Sequence, residues 1–483
     1  MDGFGASDAW RCQFVGKNWP LEKREAIADL LFSKEFDKDG NPKGIGLSIW
    51  RFYLSAGTSE QGDSSGIANV WRRGEAFQNP DGSYNWTRQQ GQRWFLEAAR
   101  KRGVEKFLAF SIAAPVHMSA NGKGFPDKGN IWFNVAPGKM DDYAAYLVDV
   151  VEHFQKEGYN FEYLSPFNEP QWNWDGGSQE GTAARNEELY AFIRYLSNQL
   201  NQRKIPAKLV IGEAGTIGHL FKTISDDGRD NQIPFFFSPD SPFYIGGLPN
   251  VLHAISGHSY FSVWPVKDQV KYRKELADCI KKTNDSLGYW QTEYCILEKN
   301  DEIGQGGKRD LGMPTALFVA RIIHNDLTLA NAKSWQWWTA LTQFDYKDGL
   351  IYLNSHDGGM GANIESLQYD GQFQESKLLW AFGNYSRFIR PGMVRIEASN
   401  LTYPDPSEAA QNVMISAFRD PVSGKIVLVA VNLTGEDKKL SIEGVKNGGW
   451  TGYLTSNSAN LEKQKVGKRI VIPSKAVMTL ISE

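Results

Sequence analysis

The sequence predicts an α/β protein: a (β/α)8 TIM barrel over residues 1–390, then an all-β sandwich domain over 391–483. Short apolar runs alternate with amphipathic helical segments through the first part, the pattern of a parallel sheet covered by helices. Eight such runs occur, enough to close a barrel rather than leave an open doubly wound sheet. After Arg390-Pro391-Gly392 the helical period disappears. Short alternating or β-branched runs separated by Gly, Asp and Asn take its place.

The strands expected in order are 2–7, 47–54, 106–114, 161–167, 208–213, 254–260, 289–293 and 334–339. Helices are expected over 21–32, 88–102, 140–157, 186–202, 270–282 and 314–330. The third shows its period plainly, because Tyr143, Tyr146, Leu147, Val150, Val151 and Phe154 fall three and four apart on one face. In the second domain, runs 413–418, 425–433, 450–455 and 469–472 read as strands. No low-complexity linker precedes them, so rigid packing on the barrel is expected. Met1 runs straight into Asp2-Gly3-Phe4-Gly5, which reads as a strand already under way. A leader and the sandwich's N-terminal strand are therefore expected to be missing ahead of it.

Composition narrows the chemistry. With 41% hydrophobic and 23% charged residues in 483, the chain has the make-up of a globular enzyme. A net charge of -3 gives no reason to expect nucleic acid or an anionic membrane as partner. Cys12, Cys279 and Cys295 lack CxxC spacing, so free or buried thiols are expected. No apolar run is long enough for a membrane span. No HExxH, complete dinucleotide fingerprint, Walker A sequence or Gly-x-Ser-x-Gly elbow occurs, and neither a metal nor a cofactor is expected. The 16 Trp, 19 Tyr and 27 Phe exceed what a core needs, and aromatic faces are what a sugar-binding cleft uses.

Two glutamates give that cleft its chemistry. Glu169 ends Ser165-Pro166-Phe167-Asn168-Glu169-Pro170, and Glu293 closes Tyr289-Trp290-Gln291-Thr292-Glu293. Each stands where a strand gives way to a loop, the face on which barrels of this kind do chemistry. Strands four and seven lie across the barrel from each other, so the carboxylates can approach one sugar from opposite sides. Glycoside hydrolysis needs such a pair, with Glu169 as general acid/base and Glu293 as nucleophile. Arg51 is expected to hold Glu293 ionised. Asn168 would bond a sugar hydroxyl, and His258 with Tyr260, two apart on strand six, would orient Glu293. Trp172, Trp174 and Trp337 are candidate sugar contacts, with Trp337 expected to face into the barrel.

These residues resemble glycoside hydrolase family 30. The carriers are Asp2-Gly3-Phe4-Gly5-Ala6-Ser7, Asn168-Glu169-Pro170, the His258 and Tyr260 pair, Glu293, and Tyr385-Ser386-Arg387-Phe388-Ile389-Arg390-Pro391-Gly392. The resemblance implies a retaining β-glycosidase whose acid/base is Glu169 and whose nucleophile is Glu293. Where many members carry Ser-Pro-Pro and a Trp after strand three, this chain has Ala113-Ala114-Pro115-Val116-His117-Met118, which makes His117 a candidate specificity residue. Residues 168–174 look most like the branch acting on β-1,6-linked galactan, as in arabinogalactan side chains. β-1,6-Glucan, a β-fucoside and xylan are the alternatives, and a barrel that only binds glycan is the alternative of another class. A monomer acting on an oligo- or polysaccharide outside the cytoplasm, whether secreted, periplasmic or at the cell surface, is expected. Loops such as 55–61 and 355–374 would decide how open the cleft is.

Overall fold

A computed structural model describes residues 1–445, 449–467 and 469–483. Eight parallel strands, β1 (Gly3–Ser7), β2 (Ile49–Leu54), β3 (Lys106–Ser111), β4 (Phe161–Ser165), β5 (Lys208–Ala214), β6 (Val251–His258), β7 (Gly288–Glu293) and β8 (Ala332–Thr342), pair in order, and β8 pairs with β1 to close the barrel. Two strands outside the expected set follow, β9 (Gly349–Asn354) parallel to β8, and β10 (Gln372–Glu375) antiparallel to β9.

Six long helices cover the barrel: α1 (Leu21–Phe32), α2 (Gln90–Lys101), α3 (Met140–Lys156), α4 (Asn186–Gln202), α5 (Val266–Thr283) and α6 (Met313–Thr328). Between β5 and β6 only short helices form, over Gly218–Phe221 and Gln232–Phe237. The expected face of α3 is the buried one. Its first turn carries Asp141 and Asp142, placed well for the positive end of the helix dipole.

Side-chain alternation sorts the barrel into an inner and an outer core. Ile49, Tyr53, Leu108, Phe110, Tyr163, Val210, Ala254 and Trp290 pack inside it. Trp50, Phe52, Phe107, Leu164, Ile211 and Ile255 point out to the helices. Strands buried on both faces show no polar alternation, so their parity is hard to read from composition. Strand β8 illustrates this: opposite Ala6 and Ser7 of β1 the register skips from Trp337 to Thr339. Trp335 and Trp337 lie outside the barrel, fully buried, with Trp335 also against Phe382.

The C-terminal domain is a six-stranded antiparallel sheet facing a two-stranded one. The large sheet runs β11 (Val394–Ile396), β12 (Val413–Arg419), β13 (Ile426–Asn432), β18 (Ala476–Ser482), β15 (Trp450–Thr455) and β16 (Glu462–Lys465). The small one pairs β14 (Lys438–Leu440) with β17 (Ile470–Ile472). Val427, Val429, Val431 and Val477 face the barrel helices, whereas Leu428, Ala430, Met478 and Leu480 meet Ile470 and Ile472. Part of the seam is made by α7 (Lys377–Ser386), where Asn384 Nδ2 donates to Tyr453 O and Thr479 Oγ1, both at 3.0 Å. At the adjoining motif Tyr385 Oη donates to Ala320 O (3.2 Å), Arg390 forks onto Glu105, and Gly392 N donates to Met1 O (2.9 Å).

Candidate active site

The C-terminal ends of β2, β4, β5, β6 and β7 converge on one buried cluster of ionisable groups. Arg51 is an inward-facing residue of β2, with its guanidinium 3.9 Å from the Phe110 ring centre. Its Nη1 donates to Glu293 Oε2 at 2.5 Å, and its Nη2 donates to Asn168 Oδ1 at 3.1 Å and Glu213 Oε2 at 3.3 Å. Burial opposes its charge, but Glu213 and Glu293 together hold its pKa above the usual arginine value. Asn168, anchored through its oxygen, keeps its amide nitrogen without a partner among the described residues.

His258, the last residue of β6, bridges two carboxylates. Its Nδ1 lies 2.8 Å from Glu169 Oε1 and its Nε2 lies 2.8 Å from Glu213 Oε2. Burial by itself lowers the imidazole pKa, yet the charge of Glu293 and the hydrogen bonds to Glu169 and Glu213 raise it to about 10. Both ring nitrogens therefore donate. Where the sequence pairs His258 with Glu293, the structure gives Glu293 a longer Nδ1 contact, 3.8 Å, and makes Glu169 and Glu213 the hydrogen-bonded partners. Tyr260 lies beyond the end of β6 rather than on it, and its hydroxyl still reaches Glu293 Oε1 at 3.1 Å.

Glu169 stands four residues past the end of β4 with its backbone in the left-handed region, φ 45°. Its N–H donates to Glu213 O at 2.8 Å. Burial pushes its pKa up, and the charge of Glu293 adds to that, against the opposing pull of His258 and Arg51. Ligand oxygens of Glu169 and Glu293 and a nitrogen of His258 all lie within 4.8 Å of one another. These three are also the side chains that could surround a cation. Arg51 and the protonated His258 already supply positive charge there, which favours a site for a sugar between acids over one for a metal.

Glu213 is the residue that sequence reasoning missed. It lies near the end of β5, fully buried, and its Oε2 also accepts from Thr292 Oγ1 at 3.0 Å. Burial opposes its ionisation, but the charge of Arg51 and the bond from His258 outweigh it and lower its pKa. It shares φ 45° with Glu169, and such strain in a non-glycine residue collects at functional sites. The signal was available, since Glu213 ends an apolar run in the same way as Glu169 and Glu293.

The remaining candidates separate. Trp174 Nε1 donates to the Glu169 carbonyl at 3.1 Å, and its ring lies so close to Gly181 that a Cβ there would meet it at 2.6 Å. It braces the loop. Trp172 is half-buried at the cleft edge, 6.0 Å from the exposed Phe261 ring. A Cβ on Gly215 would come within 2.2 Å of its Nε1, so only glycine admits the indole there. Trp337 is no sugar platform: it is fully buried outside the barrel and donates to Asp348 O. The skipped register puts Trp338 on the inner side instead, half-buried with its ring 5.3 Å from Trp10. His117 also falls away from the cluster, with its Nε2 3.0 Å from Gln78 Oε1, on a separate surface cavity shared with Lys139 and Asp149. Burial lowers its pKa. Around the rim, buried Glu180 accepts from Tyr53, Ser55, Ala56 and Thr58, fastening the loop after β2 to the loop after β4. Cys12, Cys279 and Cys295 are unpaired. No helix among the described residues is long and apolar enough to cross a membrane.

Comparison with known proteins agrees with this architecture. An endo-beta-1,6-galactanase from Hypocrea rufa is 24% identical over 236 residues, 44% of this chain and 47% of that protein, so the chain spans under half of that relative's length. Glucuronoxylanase XynC from Bacillus subtilis (strain 168) is 23% identical over 377 residues, 76% of this chain and 71% of that protein. A crystal structure of a conserved exported protein from Bacteroides fragilis superposes with a TM-score of 0.94 at 38% identity, covering 100% of this chain and 97% of that one. The profile of O-glycosyl hydrolase family 30 matches residues 1–352, and the chain belongs to that family, whose members are retaining glycosidases.

Proposed function

We propose that this chain hydrolyses β-glycosidic bonds with retention, Glu169 acting as acid and base and Glu293 as nucleophile. The observation that carries the assignment is the asymmetric pair itself. Two carboxylates with oxygens within 4.8 Å suit direct attack, for which carboxyl groups stand about 5 to 5.5 Å apart, rather than attack through an intervening water. Three carboxylates here face two cations, Arg51 and His258, so one proton on a carboxyl neutralises the cluster. Glu169 is the carboxyl whose pKa is raised, while Glu293 meets the guanidinium of Arg51.

In the first step a Glu293 oxygen attacks the anomeric carbon, the glycosidic C–O bond breaks, and the leaving oxygen takes the proton of Glu169. In the second, Glu169 removes a proton from water, whose oxygen displaces Glu293 from the sugar. Asn168, with its free amide nitrogen, donates to a sugar hydroxyl.

The substrate reading is endo-cleavage of β-1,6-linked galactan by a protein exported from the cytoplasm. The sequence of residues 168–174 and the similarity to a β-1,6-galactanase support the substrate; similarity to an exported protein supports the compartment. Xylan is the second reading, favoured by the longer match to a glucuronoxylanase. Glu293→Gln should abolish turnover, and Glu169→Ala should regain activity on an activated aryl glycoside with azide. Product analysis on β-1,6-galactan, β-1,6-glucan and glucuronoxylan decides between substrates. Release of xylo-oligosaccharides alone would overturn the galactan reading.

A further inference from the structure

A cavity of about 550 Å³ lies where the barrel meets the sandwich, away from the carboxylates. Trp264, from the loop after β6, lines it together with Glu302, from the loop after β7. Both loops leave the catalytic face, one from His258 and the other from Glu293. Leu317 and Arg321 of α6 form the floor, and Gln411 and Asn457 come from sandwich loops.

The lining pairs an apolar side, with Ile303, Met313, Leu317 and Leu433, with an aromatic ring and polar groups that a sugar could use. Trp264 is half-buried, and its indole N–H has no partner among the described residues. The Gln411 amide nitrogen donates to Ser407 O at 2.9 Å, which leaves its oxygen free, and the Asn457 amide is wholly unpartnered among the described residues. Arg321 is 2% exposed and forks onto Glu302 through Nη1 and Nη2, at 3.2 and 2.6 Å, while its buried Nε has no partner. Glu302 cancels the arginine charge, and Lys475, which also lines the cavity, donates to Leu433 O, so the cavity suits a hydroxyl-rich ligand that needs no matching charge of its own. Its volume falls in the range of small-molecule sites.

Aromatic residues recur along the loop that carries Trp264. Trp172 stands just past Glu169, the 55% exposed Phe261 ring lies 6.0 Å from it, and Trp264 follows three residues on. Phe261 holds φ at 53°, a conformation that a bulky side chain rarely adopts without a reason.

We infer that the seam cavity is a second glycan-binding site, holding a neutral hexose unit of the same chain that passes through the catalytic cleft. A pyranose ring packs its C–H face on Trp264 and sets its hydroxyls against Glu302, Gln411 and Asn457. The inference rests on the reading of the chain as a polysaccharide hydrolase, and it makes the enzyme grip an extended polymer.

The test is native electrophoresis of the inactive Glu293→Gln protein through gels containing β-1,6-galactan, β-1,6-glucan or glucuronoxylan. At least one polymer should retard it. Adding Trp264→Ala, or Asn457→Trp to fill the cavity from its exposed rim, should weaken that retardation about fivefold. In the active background both changes should raise KM on the polymer and leave kcat/KM on a short aryl glycoside untouched. Asn457→Trp does not disturb the core, so it guards against a Trp264→Ala protein that fails to fold. No retardation in any gel, or retardation undiminished by Asn457→Trp, overturns the inference. Hydrolysis by the unsubstituted enzyme is read separately. A protein retarded through Trp264 that cleaves nothing would refute the catalytic reading and leave this site standing.

Discussion

Glu213→Gln removes one negative charge from the catalytic cluster and keeps its shape. Glu213 is separated from Glu169 by the His258 ring, with a 2.8 Å contact on each side. That places the two carboxylates roughly 7 Å apart, and at an effective dielectric of about 20 one unit charge there is worth about 2 kcal/mol. The negative charge of Glu213 favours the protonated form of Glu169. Removing it therefore lowers the pKa of Glu169. His258 starts from about 10 and stays protonated through the neutral range, so it does not cancel the effect.

The measurement is the pH dependence of kcat/KM on a substrate with a poor leaving group, where the proposed acid, Glu169, must deliver a proton. The alkaline limb should move to lower pH in Glu213→Gln. With a highly activated aryl glycoside that limb should be weak in both proteins, because little protonation is needed. Loss of a buried charged partner should also cost about 3 kcal/mol of stability, read by chemical denaturation. A folded, active Glu213→Gln enzyme whose alkaline limb has not moved would refute the coupling and reduce Glu213 to a packing residue.

Three further outcomes are expected. Trp337→Ala should cost about 3 to 5 kcal/mol of stability and leave kcat/KM per folded molecule unchanged, whereas Trp338→Ala should raise KM with a smaller loss of stability. Arg51→Lys, which cannot reach Glu293, Asn168 and Glu213 at once, should lower kcat/KM by about 100-fold, as measured on an aryl glycoside. His258 has its pKa raised from 6.5 to about 10, so the stability it contributes is complete below pH 6.5 and is lost as pH rises through 10. That loss is at most about 5 kcal/mol, and Tm should fall more steeply over this interval in the native sequence than in His258→Gln.

The sequence announces the barrel because its strands and helices alternate with different periods, and it announces Glu169 and Glu293 because each ends an apolar run. Other parts of the molecule are hidden for physical reasons. Strand β18 is central to the sandwich, but it is buried on both faces and so carries no polar alternation to mark it. In β8 the skipped residue opposite Ala6 and Ser7 reverses which tryptophan looks inward, and a register shift depends on the partner strand rather than on local composition. The position of His117 depends on the path of a long loop, which residue types do not specify.

Glu213 is a different kind of omission, because its signal was as plain as that of the two assigned glutamates. A two-carboxylate mechanism has no evident use for a third. Charge balance shows why a third belongs here. In the proposed mechanism a buried nucleophile needs a buried cation, supplied by Arg51, and the acid kept close to it meets a donor, supplied by His258. Two cations against one ionised carboxylate would strip the proton from Glu169. The third carboxylate, held on the far side of both His258 and Arg51, absorbs the excess positive charge and lets the proposed acid, Glu169, stay protonated.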